Sequence, residues 1–89
     1  MKAIITVTGK DNKGIVAAVS DKCVEFGVNI ADISQTIMSG YFVMIVLTEL
    51  DDMTKPFPAF ADALDQVGRE KGLVIKTMHE DIFNSMHRI

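Results

Sequence analysis

The chain has 89 residues, of which 48% are hydrophobic and 24% charged, so we expect one small domain, residues 1–89, with a thin core. Its net charge is −3, so the protein as a whole is not attracted electrostatically to polyanions. We therefore expect no nucleic acid and no membrane partner. The single Cys23 excludes an internal disulfide, and the longest apolar run, residues 41–47, is too short to cross a bilayer, so we expect a cytoplasmic protein.

Hydrophobic periodicity predicts four strands and three helices. Ala3, Ile5 and Val7 alternate with their neighbours, which indicates a first strand, and the first helix has an apolar stripe of Ile15, Val19, Cys23 and Phe26. The Ser39-Gly40 pair indicates a hairpin, with a bulge near residues 31–32 in its first strand. The third strand of the chain, residues 41–50, is almost continuously apolar, so we expect it to be covered on both faces for much of its length. The predicted elements are strand 2–8, helix 13–26, strands 29–38 and 41–50, a helix that ends near residue 71, strand 73–78 and a tail helix over about 80–88.

This order, βαββαβ plus a C-terminal helix, predicts an α+β fold of the ferredoxin-like class. Two right-handed crossovers give a four-stranded antiparallel sheet in the order 4-1-3-2, with two helices on one face. The other face is open in a single copy. It would expose Ile4, Val74 and Met78, so we expect a partner or the tail helix to cover it.

The polar, glycine-bounded loop 9–15 joins the first strand to the first helix. The first N–H groups of a helix have no partner within the helix, and the helix dipole is positive there, so the loop suits an anion such as a carboxylate. The alternative is an ordinary turn in which Asp11 or Asn12 caps the helix. Because the helix returns the chain to the sheet edge, we expect Asn29 near this loop, where its amide can bind an amino or carboxylate group. The alternative for Asn29 is a bond to local backbone.

Other ligand sites find little support in the sequence. Gly9 and Gly14 have the first spacing of a phosphate-binding loop, but Ile15 stands where that loop needs a lysine. RNA recognition on this fold needs aromatic residues on the central strands, and the first strand has none. Neither function is expected.

Catalytic and metal-binding patterns are also weak, so we expect no enzyme activity, no cofactor and no metal. No serine lies in a nucleophile-elbow motif, and Cys23 falls on the buried side of its helix. His79 and His87 are too far apart along one helix to bind the same ion. A metal shared between subunits through His79, Glu80 or His87 stays an open alternative.

Several short motifs carry a family resemblance: Asp11-x-x-Gly14-Ile15-Val16, Gly-Val-Asn-Ile over 27–30, and Asp-Ile-Ser-Gln over 32–35. With the segment before the loop and the hairpin 39–42, they resemble an ACT domain of the small stand-alone type found in bacteria and archaea. The chain is also similar to the ACT modules of the glycine-cleavage-system repressor and of formyltetrahydrofolate deformylase. The tail, residues 79–89, resembles that of the stand-alone group.

The resemblance implies where a ligand would bind. In ligand-binding members, the glycine that matches Gly14 lets a small amino acid approach the first helix, and the residue that matches Asn29 faces it, usually across a dimer interface. Lys13 departs from the pattern, because relatives often have proline there. The expected ligand-binding residues are Asp11, Asn12, Lys13, Gly14, Ile15, Val16, Asn29 and Ile30.

The resemblance therefore implies a regulatory module that binds an amino acid or a related metabolite across a homodimer interface, without catalysis. Such a sensor would act through a separate effector protein or through oligomerisation. The alternative function is a protein–protein interaction module with no small-molecule ligand. The dimer would form either through the edge of the second strand or through the open sheet face.

Overall fold

Seven elements follow one another in the order βαββαβα in a computed structural model that describes residues 1–10 and 13–86. They are β1 (Lys2–Gly9), α1 (Ile15–Phe26), β2 (Asn29–Met38), β3 (Tyr41–Glu49), α2 (Phe57–Lys71), β4 (Val74–His79) and α3 (Glu80–Met86). None of these helices is long and apolar enough to cross a membrane.

The four strands form one sheet in the order β2-β3-β1-β4, with every neighbouring pair antiparallel. The predicted order is therefore confirmed. Because β1 and β2 both pair antiparallel with β3, they run parallel to each other. The two ends of the sheet, measured along the strands, are named by a residue. At the Gly9 end β1 terminates, and at the Asn29 end β2 begins.

The core lies between the sheet and the helices α1 and α2. Ala3, Ile5 and Val7 have no exposed surface, and the apolar stripe of α1 is buried as its spacing predicts. Phe60 of α2 is also fully buried, with its ring centroid 5.5 Å from that of Phe26. Burial of each larger apolar side chain among them is worth about 1.5–3 kcal/mol, so these contacts fix both helices on the sheet.

The hairpin between β2 and β3 has the predicted turn. Ser39 and Gly40 both have positive φ, 51° and 82°, which is the geometry that matches the twist of two paired strands. The register of β2 shifts between Ile30 and Asp32, as predicted, and this bulge keeps Ile33 packed against the core.

The face opposite α1 and α2 is only partly covered, so the expectation that β3 is covered on both faces is wrong. Ile45 of β3 and Val74 of β4 are 46% and 59% exposed. The short helix α3 contacts β1 and β4 but neither α1 nor α2, which puts it on this open face. Ile4 and Met78, which are paired across β1 and β4, are half-buried there.

Candidate functional site

Helix α1 begins at Ile15 without a side-chain cap. Gly14 is the N-cap residue, with φ +73° and ψ 5°, and among residues 1–10 and 13–86 no side chain caps the helix. The alternative in which Asp11 or Asn12 caps the helix concerns two residues that lie outside the described ones. The left-handed conformation of Gly14 starts the helix two residues later than the apolar pattern predicts.

This helix start presents free backbone donors. The first bond within α1 runs from the N–H of Ala18 to the carbonyl oxygen of Gly14, at 3.1 Å. The N–H groups of the three preceding residues, 15–17, therefore have no acceptor within the helix. The first turn also contains no acidic side chain that would compete for them. The positive end of the α1 dipole thus has room for an external anion.

The side chains around this helix start differ in what they offer. A Cβ added to Gly14 would meet no atom within 4 Å, so space is open beside it. Ile15 is 1% exposed and belongs to the core, so only its backbone N–H can reach a ligand. Val16 is 38% exposed at the first turn, and Lys13 is exposed in the loop.

Asn29 lies at the start of β2, on the surface. Its side-chain nitrogen donates to a carboxylate oxygen of Asp52 at 3.4 Å. The alternative of a bond to local backbone is not what the structure has, since the acceptor comes from the segment between β3 and α2. Ile30 is half-buried and packs against the core, so it supports this corner and offers little surface to a ligand.

Gly14 and Asn29 do not meet within one chain. Gly14 lies at the Gly9 end and Asn29 at the other, because the 12 residues of α1, about 18 Å long, connect two parallel strands. The expectation that Asn29 of the same chain comes near the loop is therefore wrong. The predicted strand order already contained the signal, since a β-α-β crossover between parallel strands always starts its second strand at the far end.

The two ends also differ in charge. At the Asn29 end, the amino group of Met1 contacts Asp51 at 2.7 Å, and this hydrogen bond raises the pKa of the amine. Carboxylates nevertheless prevail there, whereas at the Gly9 end one lysine follows β1, one precedes α1 and one is the last residue of α2. The groups are Glu49, Asp51 and Asp52 on the acidic side and Lys10, Lys13 and Lys71 on the basic side.

A cavity of about 360 Å³ lies at the Gly9 end, between β1, the start of β3 and the turn from α2 to β4. Its walls are mostly apolar and include Thr8, Lys10, Tyr41, Lys71, Leu73 and Val74. Neither Gly14 nor Asn29 lines it. Sequence reasoning missed this cavity because its walls come from three separate segments that share no motif.

The side chains considered for metal or catalysis have ordinary structural surroundings. The backbone N–H of Asp81 donates to Nδ1 of His79 at 3.2 Å, and the ring of Phe57 meets the His79 ring edge-on. Among residues 1–10 and 13–86, no three metal-ligating side chains cluster, while His87 lies outside this range. Burial raises the pKa of the Cys23 thiol to about 11, which leaves it protonated and unreactive near neutral pH.

Comparison with known families gives the decisive observation. A family model described as the ACT domain matches residues 2–77, which is most of the chain. The chain belongs to the ACT domain family. A UPF0237 protein of Clostridium acetobutylicum is 52% identical over 89 residues, and the match covers the whole of both chains. A UPF0237 protein of the archaeon Methanosarcina acetivorans is 48% identical over 86 residues, which is 97% of this chain and 94% of the relative.

Solved ACT domain structures agree with this assignment. An ACT domain protein from Streptococcus pneumoniae is 42% identical and superimposes with a TM-score of 0.81, over 93% of each chain. Formyltetrahydrofolate deformylase of Pseudomonas syringae pv. tomato is 22% identical, with a TM-score of 0.75 over 88% of this chain and 27% of that one. A protein named for the glycine cleavage system transcriptional repressor is also 22% identical, with a TM-score of 0.67 over 85% of this chain and 43% of that one. The last two comparisons show the shared fold, and all three confirm the predicted resemblance.

Membership in the ACT domain family has a direct functional meaning. ACT domains are typically regulatory modules that bind small molecules rather than catalysts. At the start of α1 of this chain, backbone donors lie beside open space at Gly14.

Proposed function

We propose that this protein is a non-catalytic regulator that binds an amino acid or a related metabolite at the start of α1. The observation that carries the proposal is the uncapped helix N-terminus beside Gly14, where an added Cβ would meet nothing within 4 Å. The α-carboxylate of an amino acid would accept hydrogen bonds from the N–H groups of residues 15–17. Lys13, in the same loop, adds positive charge that favours a carboxylate.

In this proposal the second half of the site comes from another copy of the chain. Asn29 is held by Asp52 at the opposite end of the molecule, so only a partner can bring an Asn29 to the loop. The Asn29 side chain would bind the amino or carboxylate group of the ligand, since an amide both donates and accepts. The ligand would then stabilise one dimer geometry by bridging the two chains.

A twofold axis perpendicular to the sheet would give the required arrangement. It pairs two β2 edges antiparallel and places the Gly9 end of each copy beside the Asn29 end of the other. Residues 34–38 of β2 are all exposed, so this edge is available for pairing. The basic and acidic ends would also lie side by side, which favours this orientation electrostatically.

Titration calorimetry against the twenty amino acids, at protein concentrations that detect millimolar binding, tests the proposal. We expect heat with at least one amino acid. Asn29→Ala should weaken that binding by about tenfold, because it removes hydrogen bonds to a charged group. Gln66→Ala, a change at an exposed amide of α2, is the matched control and should bind normally. A full amino acid panel without heat would contradict the ligand role.

A second candidate function is a protein–protein interaction module without a small-molecule ligand. The exposed apolar side chains of the open face, including Ile45 and Val74, favour it. An effector protein would dock there and against α3. In that case truncation before Glu80 would abolish effector binding, whereas Asn29→Ala would leave the affinity unchanged, which is the reverse of the result expected for a ligand sensor.

A further inference from the structure

The cavity at the Gly9 end exists because two glycines shape it. A Cβ on Gly9 would lie 2.3 Å from Cδ2 of Leu73, so the bare glycine lets Leu73 pack against β1 and form the floor. Gly72, with φ +71°, continues the wall, and an added Cβ there would meet no atom within 4 Å. The space is thus open where any other residue would place a side chain. Its volume of about 360 Å³ lies in the range of small-molecule sites.

The walls of the cavity combine apolar surface with two lysine side chains. Tyr41 and Val74 are 47% and 59% exposed, so an apolar body that covers them would be removed from water. The ammonium of Lys10 lies 5.9 Å from the centre of the Tyr41 ring. Within the described part of the chain, neither Lys10 nor Lys71 has a carboxylate within 4 Å.

Two lysines with no carboxylate of the described residues within 4 Å thus lie beside an apolar cavity. An apolar cavity alone would suit a neutral ligand, and lysines alone would suit any anion in solution. Together they favour a molecule that has both an anionic group and an apolar body, since only such a molecule satisfies both parts at once.

We propose that this cavity is a second ligand site, which takes a small organic anion. Its carboxylate or phosphate group binds Lys10 and Lys71, and its flat apolar part lies on Tyr41, Leu73 and Val74. The site is separate from the start of α1, because its walls extend to α2 and β4 and do not include Gly14. The proposal of this second site therefore does not depend on the proposed amino acid site.

Amide NMR spectra of the full-length protein, titrated with phenyl phosphate, test this proposal. The two halves of the probe serve as comparisons: benzyl alcohol has the ring without the charge, and inorganic phosphate has the charge without the ring. We expect saturable shifts at the amides of Gly9, Gly72 and Val74, with phenyl phosphate bound about tenfold more tightly than either half. Signals of Gly14 and Asn29 should move little.

Charge variants then separate this site from general attraction to lysines. The double variant Lys10→Gln/Lys71→Gln should bind phenyl phosphate about tenfold more weakly. Lys2→Gln, at the other end of β1, is the matched control and should bind normally. All three side chains are exposed, so the folds should persist, and the dispersion of the spectra reports this directly.

A second pair of variants tests the apolar wall. Val74→Asp introduces a carboxylate at the cavity and should weaken phenyl phosphate binding by about tenfold. Val24→Asp, the control, adds the same charge to an 81% exposed position of α1 and should leave phenyl phosphate binding unchanged. The proposal is overturned by any of three results: no saturable shifts at the cavity amides, shifts centred on Val43 and Ile45 of the open face, or unchanged affinity of the double lysine variant.

Discussion

At the scale of single residues, Cys23 shows how the core controls chemistry. Its side chain is 1% exposed within the stripe that packs α1 on the sheet. Desolvation of the thiolate raises the pKa of this thiol from its usual 9.0 to about 11. The cysteine therefore behaves as a small apolar side chain at neutral pH, as the sequence predicts.

The raised pKa of Cys23 makes stability depend on alkaline pH. Between pH 9.0 and about 11 the folded state keeps a thiol proton that the unfolded chain has lost, so the free energy of unfolding falls as pH rises through this range. The loss should amount to roughly 2 to 3 kcal/mol at the upper limit. Urea unfolding of the natural chain and of Cys23→Ala at a series of pH values measures it.

Cys23→Ala is its own control in this comparison. The two chains differ only at this side chain, so the difference between the two curves isolates the thiol. A difference that does not change from pH 8 to pH 11 would show that the buried thiol ionises in the folded state as easily as in the unfolded chain.

At the scale of elements, the ends of α1 and α2 form a matched pair. Gly27 and Gly72 are both C-cap residues with nearly equal left-handed conformations, φ 70° and φ 71°. They differ in their surroundings. A Cβ on Gly27 would lie 2.7 Å from the carbonyl oxygen of Asp52, whereas Gly72 faces open space.

Replacement of Gly27 and of Gly72 by alanine should therefore lower the free energy of unfolding by different amounts. Gly72→Ala has only the cost of left-handed backbone, about 1 kcal/mol. Gly27→Ala adds a clash with the main chain near Asp52 and should cost about 1 to 3 kcal/mol more. Urea unfolding of both variants measures the difference. Equal destabilisation would mean that the segment at Asp52 moves away without cost.

The elements also show what sequence patterns can and cannot predict. Strands, helices and strand order follow from local periodicity, which is why the stripe from Ile15 to Phe26 and the Ser39-Gly40 turn were both predicted correctly. The covering of β3 depends on what lies above the sheet, which no local pattern encodes, and Ile45 is exposed. Asn29 lies far from the loop because α1 returns the chain to the sheet at the opposite end of the strands, which the predicted topology already implied.

At the scale of the whole molecule, association depends on which surface two copies share. The edge of β2 exposes Ile37, which is 70% exposed, whereas the open face exposes Ile45, which is 46% exposed. Both surfaces can bury apolar area, and they lie on different strands. One substitution in each distinguishes them.

We expect a dimer that forms through β2, so Ile37→Lys should shift it toward monomer, because a buried or crowded ammonium opposes pairing. Ile45→Lys should leave the dimer intact, and Val24→Lys, at an 81% exposed site of α1, is the control. Sedimentation velocity at micromolar concentration measures the distribution. Dissociation by Ile45→Lys but not by Ile37→Lys would assign the interface to the open face, and a natural chain that is monomeric would contradict both.

Gly14 and Asn29 lie at opposite ends of α1, and this separation would make the proposed site amenable to complementation. A chain whose loop at Gly14 no longer binds the ligand still has a functional Asn29. A chain with Asn29→Ala still has a functional loop. In a heterodimer of these two chains, one site combines the functional loop with the functional Asn29, and the other combines the altered loop with the substituted residue 29. When these two weakly binding preparations are unfolded and refolded together in equal amounts, about a quarter of the sites should thus recover the affinity of the natural protein.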